Sequence, residues 1–283
     1  MIHILTLTYN GVDKLKRLRP GLLRNLEKSG QDWEWLIRIN GDNKDGTVEE
    51  INSWNDSKVK ILNAAHNRSN FAEGMNSLAW FALGPLYNCR SVLKSIRQPS
   101  KDLLLLLNDD IEFFDDDSLS KMGHLMEDEN IGIVGCRLLY SGTNLLQHAG
   151  VIFSDKYGRM PYHYRHKEES DATAEKNKYF QAVTAAVCLV RFNDFLCADG
   201  MNDKLHWAFE DIDLNLKIGK LGKKIAYCGG TKIYHEESAT LKKTSLNKLF
   251  LNPNVTYFKQ QWFGKYEIDH DKYLKDSNYN DIK

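Results

Sequence analysis

The chain has 283 residues, of which 42% are hydrophobic and 27% charged, and its 38 Lys and Arg balance its 38 Asp and Glu. This length and composition suit one large α/β domain or two small ones, and they exclude a wholly disordered chain. A formal net charge of zero provides no overall attraction to nucleic acid or anionic lipid, although it is compatible with a local basic patch.

Neither a membrane-spanning segment nor a secretion signal is predicted. The longest apolar run, Leu103–Leu107, is far shorter than the roughly 20 residues that span a bilayer. Residues 1–10 lack a basic leader. The five cysteines form no Cys-x-x-Cys pair, so we expect buried free thiols. Together these features predict a cytoplasmic protein.

Hydrophobic periodicity predicts alternating strands and helices in the first part of the chain. Strands are predicted at residues 2–7, 33–39, 59–62 and 102–107, and helices at 13–28, 48–54 and 71–81. This alternation favours a parallel sheet whose ligand-binding loops follow the carboxyl ends of its strands.

The remainder of the chain is less regular. Strands are predicted at residues 131–136, 151–153, 183–190, 224–227 and 232–234, and a helix at 209–221. No repeat and no Pro-, Ser- or Gly-rich linker divides the chain. The sequence therefore predicts one α/β domain with a nucleotide-binding half and a more variable half.

Two adjacent carboxylates, Asp109 and Asp110, directly follow the five-leucine run. They are expected at the carboxyl edge of the sheet, where open α/β sheets bind ligands. Because desolvating two carboxylates is costly without a counter-charge, a divalent cation is a natural partner. The alternative is a solvated turn, since another acidic run follows at residues 115–117.

A second acidic cluster, Phe-Glu-Asp-Ile-Asp-Leu, occupies residues 209–214. Three acids in the first turn of a helix are explained by the helix dipole, and one of them could equally be a general base. His235, after the predicted strand at 232–234, is either a polar residue at a strand end or an imidazole ligand of a metal held by the first acidic pair.

Taken in order, these segments resemble the inverting family 2 glycosyltransferases with a GT-A fold, especially their rhamnosyltransferase-like branch. The similarity covers about residues 1–264, with three departures from the family's pattern at Asn40, Asn108 and Asp199. The matching segments are the Leu-Thr-Leu-Thr-Tyr-Asn opening at 5–10, the loops at 40–47 and 67–76, the stretch at 132–151, the pair of motifs at 199–214 and the histidine at 235.

The resemblance implies a Rossmann-like, mainly parallel central sheet flanked by helices, with a more irregular acceptor-side half. It implies a glycosyltransferase domain at 1–240, in which about 1–120 form the nucleotide-sugar half and about 121–240 the metal and acceptor half. A helical extension rich in Lys and aromatic residues is expected at 241–283. Lysines and aromatic side chains alternate without any acid at 241–265, which suits either an amphipathic helix that closes the fold or binding to phosphate backbones or a membrane surface.

The resemblance also implies a role for each candidate residue. Asp211, with Glu210 beside it, is the expected general base, and Asp110 and His235 are expected to hold Mn²⁺ or Mg²⁺. Trp207 and His148 are expected on the acceptor side, where Trp207 either stacks on a sugar ring or belongs to the core. The residues expected to line the nucleotide-sugar pocket are Thr8, Tyr9, Asn10, Asn40, Asp42, Asp45, Asn76 and Asp109.

The implied reaction moves one sugar, with inversion, from a UDP- or dTDP-type nucleotide sugar to a hydroxyl of a glycan, a lipid-linked compound or another acceptor. No Gln-x-x-Arg-Trp sequence follows Asp211, so transfer of a single sugar is expected. Two alternatives use the same acidic residues: a glycosyltransferase acting on nucleic-acid bases, and a metal-dependent nucleotidyltransferase or hydrolase.

Overall fold

The structure, a computed structural model, describes residues 1–63, 68–84, 101–206, 208–236 and 247–282, without the side chains of residues 63 and 247–252. A ten-stranded sheet forms its centre, and a separate two-stranded sheet lies beside it. Helices cover both faces of the larger sheet, because two separate clusters of buried apolar side chains pack on its two sides.

The alternating first part of the chain forms as predicted. Each predicted element is present, and its bounds differ from the prediction by one or two residues at most. The elements are β1 (Ile2–Thr8), α1 (Val12–Ser29), β2 (Trp33–Ile39), α2 (Thr47–Ser53), β3 (Val59–Asn63), α3 (Phe71–Ala82) and β4 (Leu103–Leu107).

The second part holds many short strands. Its elements are β5 (Ile111–Phe113), α4 (Ser118–Leu125), β6 (Ile131–Tyr140), β7 (Leu146–His148), β8 (Val151–Ser154), β9 (Met160–His163), β10 (Lys178–Phe180), β11 (Val187–Arg191), α5 (Phe192–Cys197), α6 (Glu210–Lys220), β12 (Lys224–His235), α7 (Asn247–Trp262) and α8 (His270–Lys275).

Two predictions for this part are wrong in detail. The strand predicted at 183–190 starts at Val187, because the backbone of Val183 and Ala185 bonds to side chains of α6 instead of to a neighbouring strand. The strands predicted at 224–227 and 232–234 form one strand, β12, which accommodates an irregularity between Cys228 and Ile233.

The strand order is β10-β12-β6-β11-β4-β1-β2-β3. Strands β1 to β4 are mutually parallel where they pair, whereas β11 runs antiparallel between β4 and β6. Because β12 is parallel to β6, its carboxyl end lies at the same edge as the carboxyl ends of β1, β2 and β4. The chain therefore delivers four strand ends to one edge of the sheet.

The described part of the C-terminal segment packs onto the rest of the fold. Phe258 and Trp262 of α7 are buried in a cluster with Ile212 and Leu216 of α6. The indole Nε1–H of Trp262 donates to Asp213 Oδ1 at 2.8 Å. These contacts agree with the interpretation of this segment as a helix that closes the fold.

Among the described residues, no helix is both long enough and apolar enough to cross a bilayer. Cys136, Cys188 and Cys228 are buried free thiols, as expected. The expectation is wrong for Cys197, which is exposed because it lies in the last turn of the short helix α5.

Candidate active site

A cavity of about 590 Å³ opens at the carboxyl edge of the sheet. Its walls come from the ends of β1, β2 and β4, from β9, from the end of β12 and from the start of α6. Open α/β sheets bind ligands at this edge, and the volume is that of a small-molecule site.

Asp110 and His235 meet in this cavity. They lie far apart in the chain, but β5 pairs antiparallel with β12 and places Ile111 opposite His235. Asp110 Oδ1 therefore lies 3.1 Å from His235 Nε2. The structure therefore brings the two residues predicted to hold a metal together in one cavity.

The protonation of His235 follows from its other contacts. Its Nδ1 lies 2.5 Å from Gln147 Oε1, an atom that only accepts hydrogen bonds, so Nδ1 carries the proton in the neutral ring. The lone pair of Nε2 is then directed at Asn108 Nδ2, at 3.3 Å, and at the carboxylate of Asp110.

This pair fits a divalent cation. Asp110 Oδ1 is buried and faces Nε2 of His235, and this neighbour opposes the effect of burial and helps to lower the pKa of Asp110. A cation between the two would satisfy both, and carboxylate oxygen with imidazole nitrogen suits Mn²⁺ or Mg²⁺. Within the described ranges no group of three His, Cys, Asp or Glu gathers as a metal site. The remaining ligands would therefore be substrate oxygens and water.

Asp109 forms a second buried network beside this pair. Its Oδ2 accepts from the hydroxyl of Thr8 at 2.7 Å, and its Oδ1 accepts from Lys14 Nζ at 3.0 Å. Burial raises the pKa of Asp109, and Lys14 and Thr8 only partly oppose that effect. Gly11 permits the close packing here, since a Cβ on it would lie 2.0 Å from Thr8 Oγ1 and 2.9 Å from Asp109 Oδ2.

The ends of β1 and β2 form the wall predicted for the nucleotide. Tyr9 and Asn40 both line it, as predicted. The side-chain amide of Asn40 bonds to the backbone of Ser69. Its Oδ1 accepts from the N–H of Ser69 at 2.8 Å, and its Nδ2 donates to the carbonyl of Ser69 at 3.0 Å. The guanidinium of Arg68 lies 3.8 Å above the ring of Tyr9 and provides a cation on this wall.

Four residues predicted for the pocket do not line it. Asp45 accepts from the backbone N–H groups of Val12 and Thr47, so it joins the starts of α1 and α2. Asn76 bonds to the backbone N–H and carbonyl of Met201. Asn10 accepts from the backbone of Lys44, and Asp42 is exposed. These side chains hold loops in place or face solvent.

The start of α6 supplies the carboxylates Glu210 and Asp211. Asp211 is partly exposed, and its Oδ1 and Oδ2 accept from the backbone N–H groups of Ile212 at 2.8 Å and Ala185 at 3.3 Å. Phe209 precedes them in the left-handed region, at φ 72°, a strained conformation for a bulky residue. Its ring stacks on Phe258, so packing holds this turn and with it the direction of Asp211.

Asp213 has a structural role instead. It is buried, it accepts from Trp262, and its Oδ2 lies 3.1 Å from Lys217 Nζ. It is absent from the cavity lining. Of the three acids in this turn, only Glu210 and Asp211 reach the cavity.

Burial raises the pKa of Glu210 to about 8, and the neighbouring charge of Asp211 adds to the effect. Burial likewise raises the pKa of Asp211, against the opposing effect of the two backbone N–H groups. Two carboxyls with raised pKa in one cavity suit proton transfer near neutral pH.

The stability of the fold is expected to reflect the raised pKa of Glu210. A carboxyl whose pKa is higher in the folded than in the unfolded state costs stability as pH rises, here between about 4.5 and about 8. Glu210→Gln should therefore raise the melting temperature at pH 8 by more than at pH 5. The exposed Glu129→Gln is the control and should show no such difference. An equal effect of Glu210→Gln at both pH values would contradict the raised pKa.

The two residues predicted for the acceptor side have different outcomes. Trp207 lies outside the described residues. His148 is fully buried and lies behind the cavity wall, because β7 packs it under the β8–β9 hairpin. Its Nδ1 lies 2.9 Å from Nδ1 of His163, which does line the cavity.

Three residues of the site escaped the sequence analysis: Lys14, Arg68 and His163. The two adjacent carboxylates were a signal that some cation lies near them, and Lys14 at the start of α1 supplies one. No spacing marks Arg68 or His163, because they approach the cavity only through tertiary packing.

Comparison with known proteins agrees with this geometry. The sequence model of the family described as Glycosyl transferase family 2 matches residues 3–193. The O-antigen biosynthesis protein RfbC of Myxococcus xanthus is 26% identical over 240 residues, 81% of this chain. The uncharacterized protein y4gI of Sinorhizobium fredii is 30% identical over 175 residues, 59% of this chain. The chain spans 17% and 19% of the length of these two relatives, respectively.

Solved structures show the same fold at low identity. The chain is similar to S. aureus TarS 1-349 in complex with UDP-GlcNAc, with a TM-score of 0.61, 12% identity and coverage of 95% of this chain and 68% of that one. It is also similar to the mannosyltransferase PcManGT of Pyrobaculum calidifontis in complex with GDP-Man and Mn²⁺, with a TM-score of 0.58, 12% identity and coverage of 96% and 69%. The predicted GT-A fold is confirmed.

Proposed function

The chain belongs to glycosyl transferase family 2, and from this premise we propose that it moves one sugar from a nucleoside diphosphate sugar to an acceptor hydroxyl with inversion. One observation carries the proposal. A single cavity holds a cation-binding pair, Asp110 and His235, together with a partly exposed carboxylate of raised pKa, Asp211. An inverting transfer needs a stabilised leaving group and a base, and these residues supply both.

Asp211 acts as the general base in this proposal. Its carboxylate takes the proton of the acceptor hydroxyl as that oxygen attacks the anomeric carbon, and the bond to the nucleoside diphosphate breaks. The backbone N–H groups of Ile212 and Ala185 hold the carboxylate in place. Glu210 lies beside it, and the charge of Asp211 adds to the raised pKa of Glu210.

Asp110 and His235 would hold Mn²⁺ or Mg²⁺ on the opposite side of the reaction. A bound cation neutralises charge on the departing diphosphate. Lys14 adds a fixed positive charge next to these residues, with its Nζ 3.0 Å from Asp109 and 3.9 Å from Asp110. Tyr9 and Arg68 then remain for the nucleobase and ribose, and Asn40 holds the loop at Ser69 beside them. We propose a UDP- or dTDP-type donor.

The proposal extends to the organisation and setting of the protein. Residues 1–120 supply the wall that binds the nucleotide. Residues 121–240 supply the general base, Asp211, and the wall that binds the acceptor, and 241–283 is an extension that closes the fold. A relative named as an O-antigen biosynthesis protein supports a glycan acceptor, and the order of the motifs in the sequence supports the rhamnosyltransferase-like branch. The location proposed is the cytoplasm, with peripheral attachment at a membrane surface.

Binding of nucleotides tests the donor site directly. Calorimetry with UDP, dTDP, GDP and ADP is expected to show tighter binding of UDP or dTDP with Mn²⁺ than without it, because a cation held by Asp110 and His235 would neutralise charge on the diphosphate. Asp110→Asn should abolish the gain from Mn²⁺, and Asp116→Asn, an exposed acid paired with Arg24, is the matched control. Equal affinity with and without metal, or a preference for ADP, would count against the site.

The products separate this proposal from the alternatives that use the same acids. A glycosyltransferase releases a nucleoside diphosphate, whereas a hydrolase or nucleotidyltransferase releases phosphate or pyrophosphate. Release of UDP or dTDP that depends on a sugar acceptor is the expected result.

A further inference from the structure

Three histidines, His148, His163 and His166, lie next to one another. Of these three, His163 lines the cavity that also holds Asp211. It ends β9, and the paired strand β8 supplies Val151, which also lines the cavity. His163 is half-buried, and its ring contacts His148 at one edge. The mechanism above gives it no role.

A chain of hydrogen bonds determines which nitrogen of His163 carries its proton. The backbone N–H of Thr184 donates to His148 Nε2 at 3.4 Å, so in the neutral ring His148 Nδ1 is protonated. His148 Nδ1–H then donates to His163 Nδ1 at 2.9 Å. Neutral His163 must therefore carry its proton on Nε2. Within the described part of the chain, no hydrogen-bond partner is found for that Nε2–H.

His148 and His163 both remain neutral at physiological pH, so these proton positions on the two rings are maintained. Burial lowers the pKa of His163 to about 4, and His166 and His235 nearby add to the effect. Burial also holds the pKa of His148 well below its ordinary value. A neutral imidazole offers one N–H donor and no charge.

The surroundings select the kind of atom that this N–H binds. The neighbouring wall is formed by Val151, Pro161, Phe209 and Ile212, with the carboxylates of Glu210 and Asp211 close by. The Lys and Arg residues of the cavity lining are engaged elsewhere, since Lys14 contacts Asp109 and Asp110 and Arg68 lies over the ring of Tyr9. Glu210 and Asp211, when charged, would repel a phosphate at this position, whereas a sugar offers apolar C–H faces and neutral oxygens.

The segment that precedes β11 ties this donor to the proposed base. The backbone N–H of Thr184 donates to Nε2 of His148, whose Nδ1–H in turn donates to His163. The next backbone N–H, that of Ala185, donates to Asp211 Oδ2. One rigid stretch of backbone therefore sets the position of His163 relative to Asp211.

We propose that His163 is a substrate-binding residue whose Nε2–H donates a hydrogen bond to a sugar oxygen held beside Asp211. The inference rests on the proposed glycosyltransferase function, which it deepens. The oxygen belongs either to the sugar of the donor or to the acceptor, and the two sources are separable by experiment.

His163→Phe keeps a ring and removes the N–H, whereas His163→Gln keeps an N–H of similar reach. The probes are UDP, UDP-glucose, UDP-GlcNAc, dTDP-rhamnose and GDP-mannose, each with Mn²⁺. If the donor sugar is bound, His163→Phe weakens binding of the preferred nucleotide sugar about five- to tenfold and leaves UDP or dTDP unchanged. If the acceptor is bound, donor affinity and donor hydrolysis are unchanged, and kcat/KM for transfer to methyl glycosides falls by the same factor.

In either case His163→Gln should recover part of the loss, and the exposed His124→Gln should match the wild type. A His163→Phe variant that melts normally, binds donors normally and transfers normally would overturn the inference. A wild-type protein that binds no nucleotide would instead overturn the proposed function.

A spectroscopic measurement keeps the inference testable if the variants unfold. Nitrogen-15 NMR of the imidazoles in the wild-type protein at pH 7 should show His163 protonated at Nε2 and unprotonated at Nδ1. Its Nε2 resonance should shift when a bound sugar accepts the hydrogen bond. A proton on Nδ1, or a doubly protonated ring, would overturn the proposed donor.

Discussion

Asp211→Asn is expected to lower turnover by ~10²–10⁴-fold, because the amide keeps the shape of the side chain but cannot take a proton. That loss corresponds to about 2.7–5.4 kcal/mol of transition-state stabilisation. Nucleotide affinity should change little, since the proposed partner of Asp211 is the acceptor hydroxyl and its carboxylate is held by the backbone N–H groups of Ala185 and Ile212. Steady-state kinetics and calorimetry on the same preparation measure both quantities.

Asp213→Asn is the matched control from the same helical turn. Asp213 is buried and accepts from Trp262, with Lys217 close to its other oxygen. Its replacement should lower the melting temperature, because a hydrogen-bonded charge at the junction of α6 and α7 is lost, and turnover per folded molecule should stay near normal. Near-wild-type turnover of Asp211→Asn, or a large loss in Asp213→Asn without a change in stability, would reverse the two roles.

The wild-type enzyme should also lose Asp211-dependent turnover as pH falls. Burial raises the pKa of Asp211, so the base becomes protonated, and therefore inactive, at a higher pH than an ordinary carboxyl. The acidic limb of the kcat profile should accordingly lie above the usual range of an aspartate, and this limb should vanish in Asp211→Asn, whose residual rate depends on no such base.

Removal of the metal is expected to abolish transfer. Excess EDTA should reduce the rate to background, and Mn²⁺ or Mg²⁺ should restore it, since stabilisation of a leaving diphosphate by a cation supplies several kcal/mol, or roughly 10²–10⁴-fold in rate. Asp110→Ala and His235→Ala should each show a comparable loss, with a higher Mn²⁺ concentration needed for half of the remaining activity.

Binding of Mn²⁺ can be measured independently of turnover. Electron paramagnetic resonance of Mn²⁺ with UDP present should show a bound fraction for wild type and for Asp116→Ala, an exposed acid at the surface. The same spectrum for Asp110→Ala should show free Mn²⁺. Full activity in excess EDTA would remove the metal from the mechanism and leave Lys14 as the cation nearest the diphosphate.

The local pattern of the sequence was sufficient for much of the fold. The period of apolar residues predicts the alternating elements of residues 2–107. Each of these elements buries one or both of its faces at a shared sheet, so the period can be recognised within the segment itself. The five-leucine run followed by Asp109 and Asp110 predicts charge at the carboxyl edge for the same reason. Residues 209–214 likewise predict an acidic helix start.

The site required contacts that no local pattern contains. Asp110 and His235 meet because β5 pairs with β12 across more than a hundred residues of chain. Asp45 and Asn76 carry the polar atoms expected of a nucleotide pocket, yet the structure commits them to the backbone at Val12, Thr47 and Met201. Residue type alone does not distinguish a polar side chain that binds a ligand from one that satisfies a buried N–H.

The sequence by itself therefore determined the alternating strands and helices of residues 2–107, the acidic segments and, through resemblance, the family. Tertiary structure alone decided which acids face the cavity. It also decided that His163 lines the cavity while His148 lies behind it, and that Lys14 and Arg68 provide positive charge there. Asp211 and Asp213 are two residues apart in one helix, and their sides of it differ by about 200°. Only the packing of α7 against that helix decides that Asp213 faces the core while Asp211 faces the cavity.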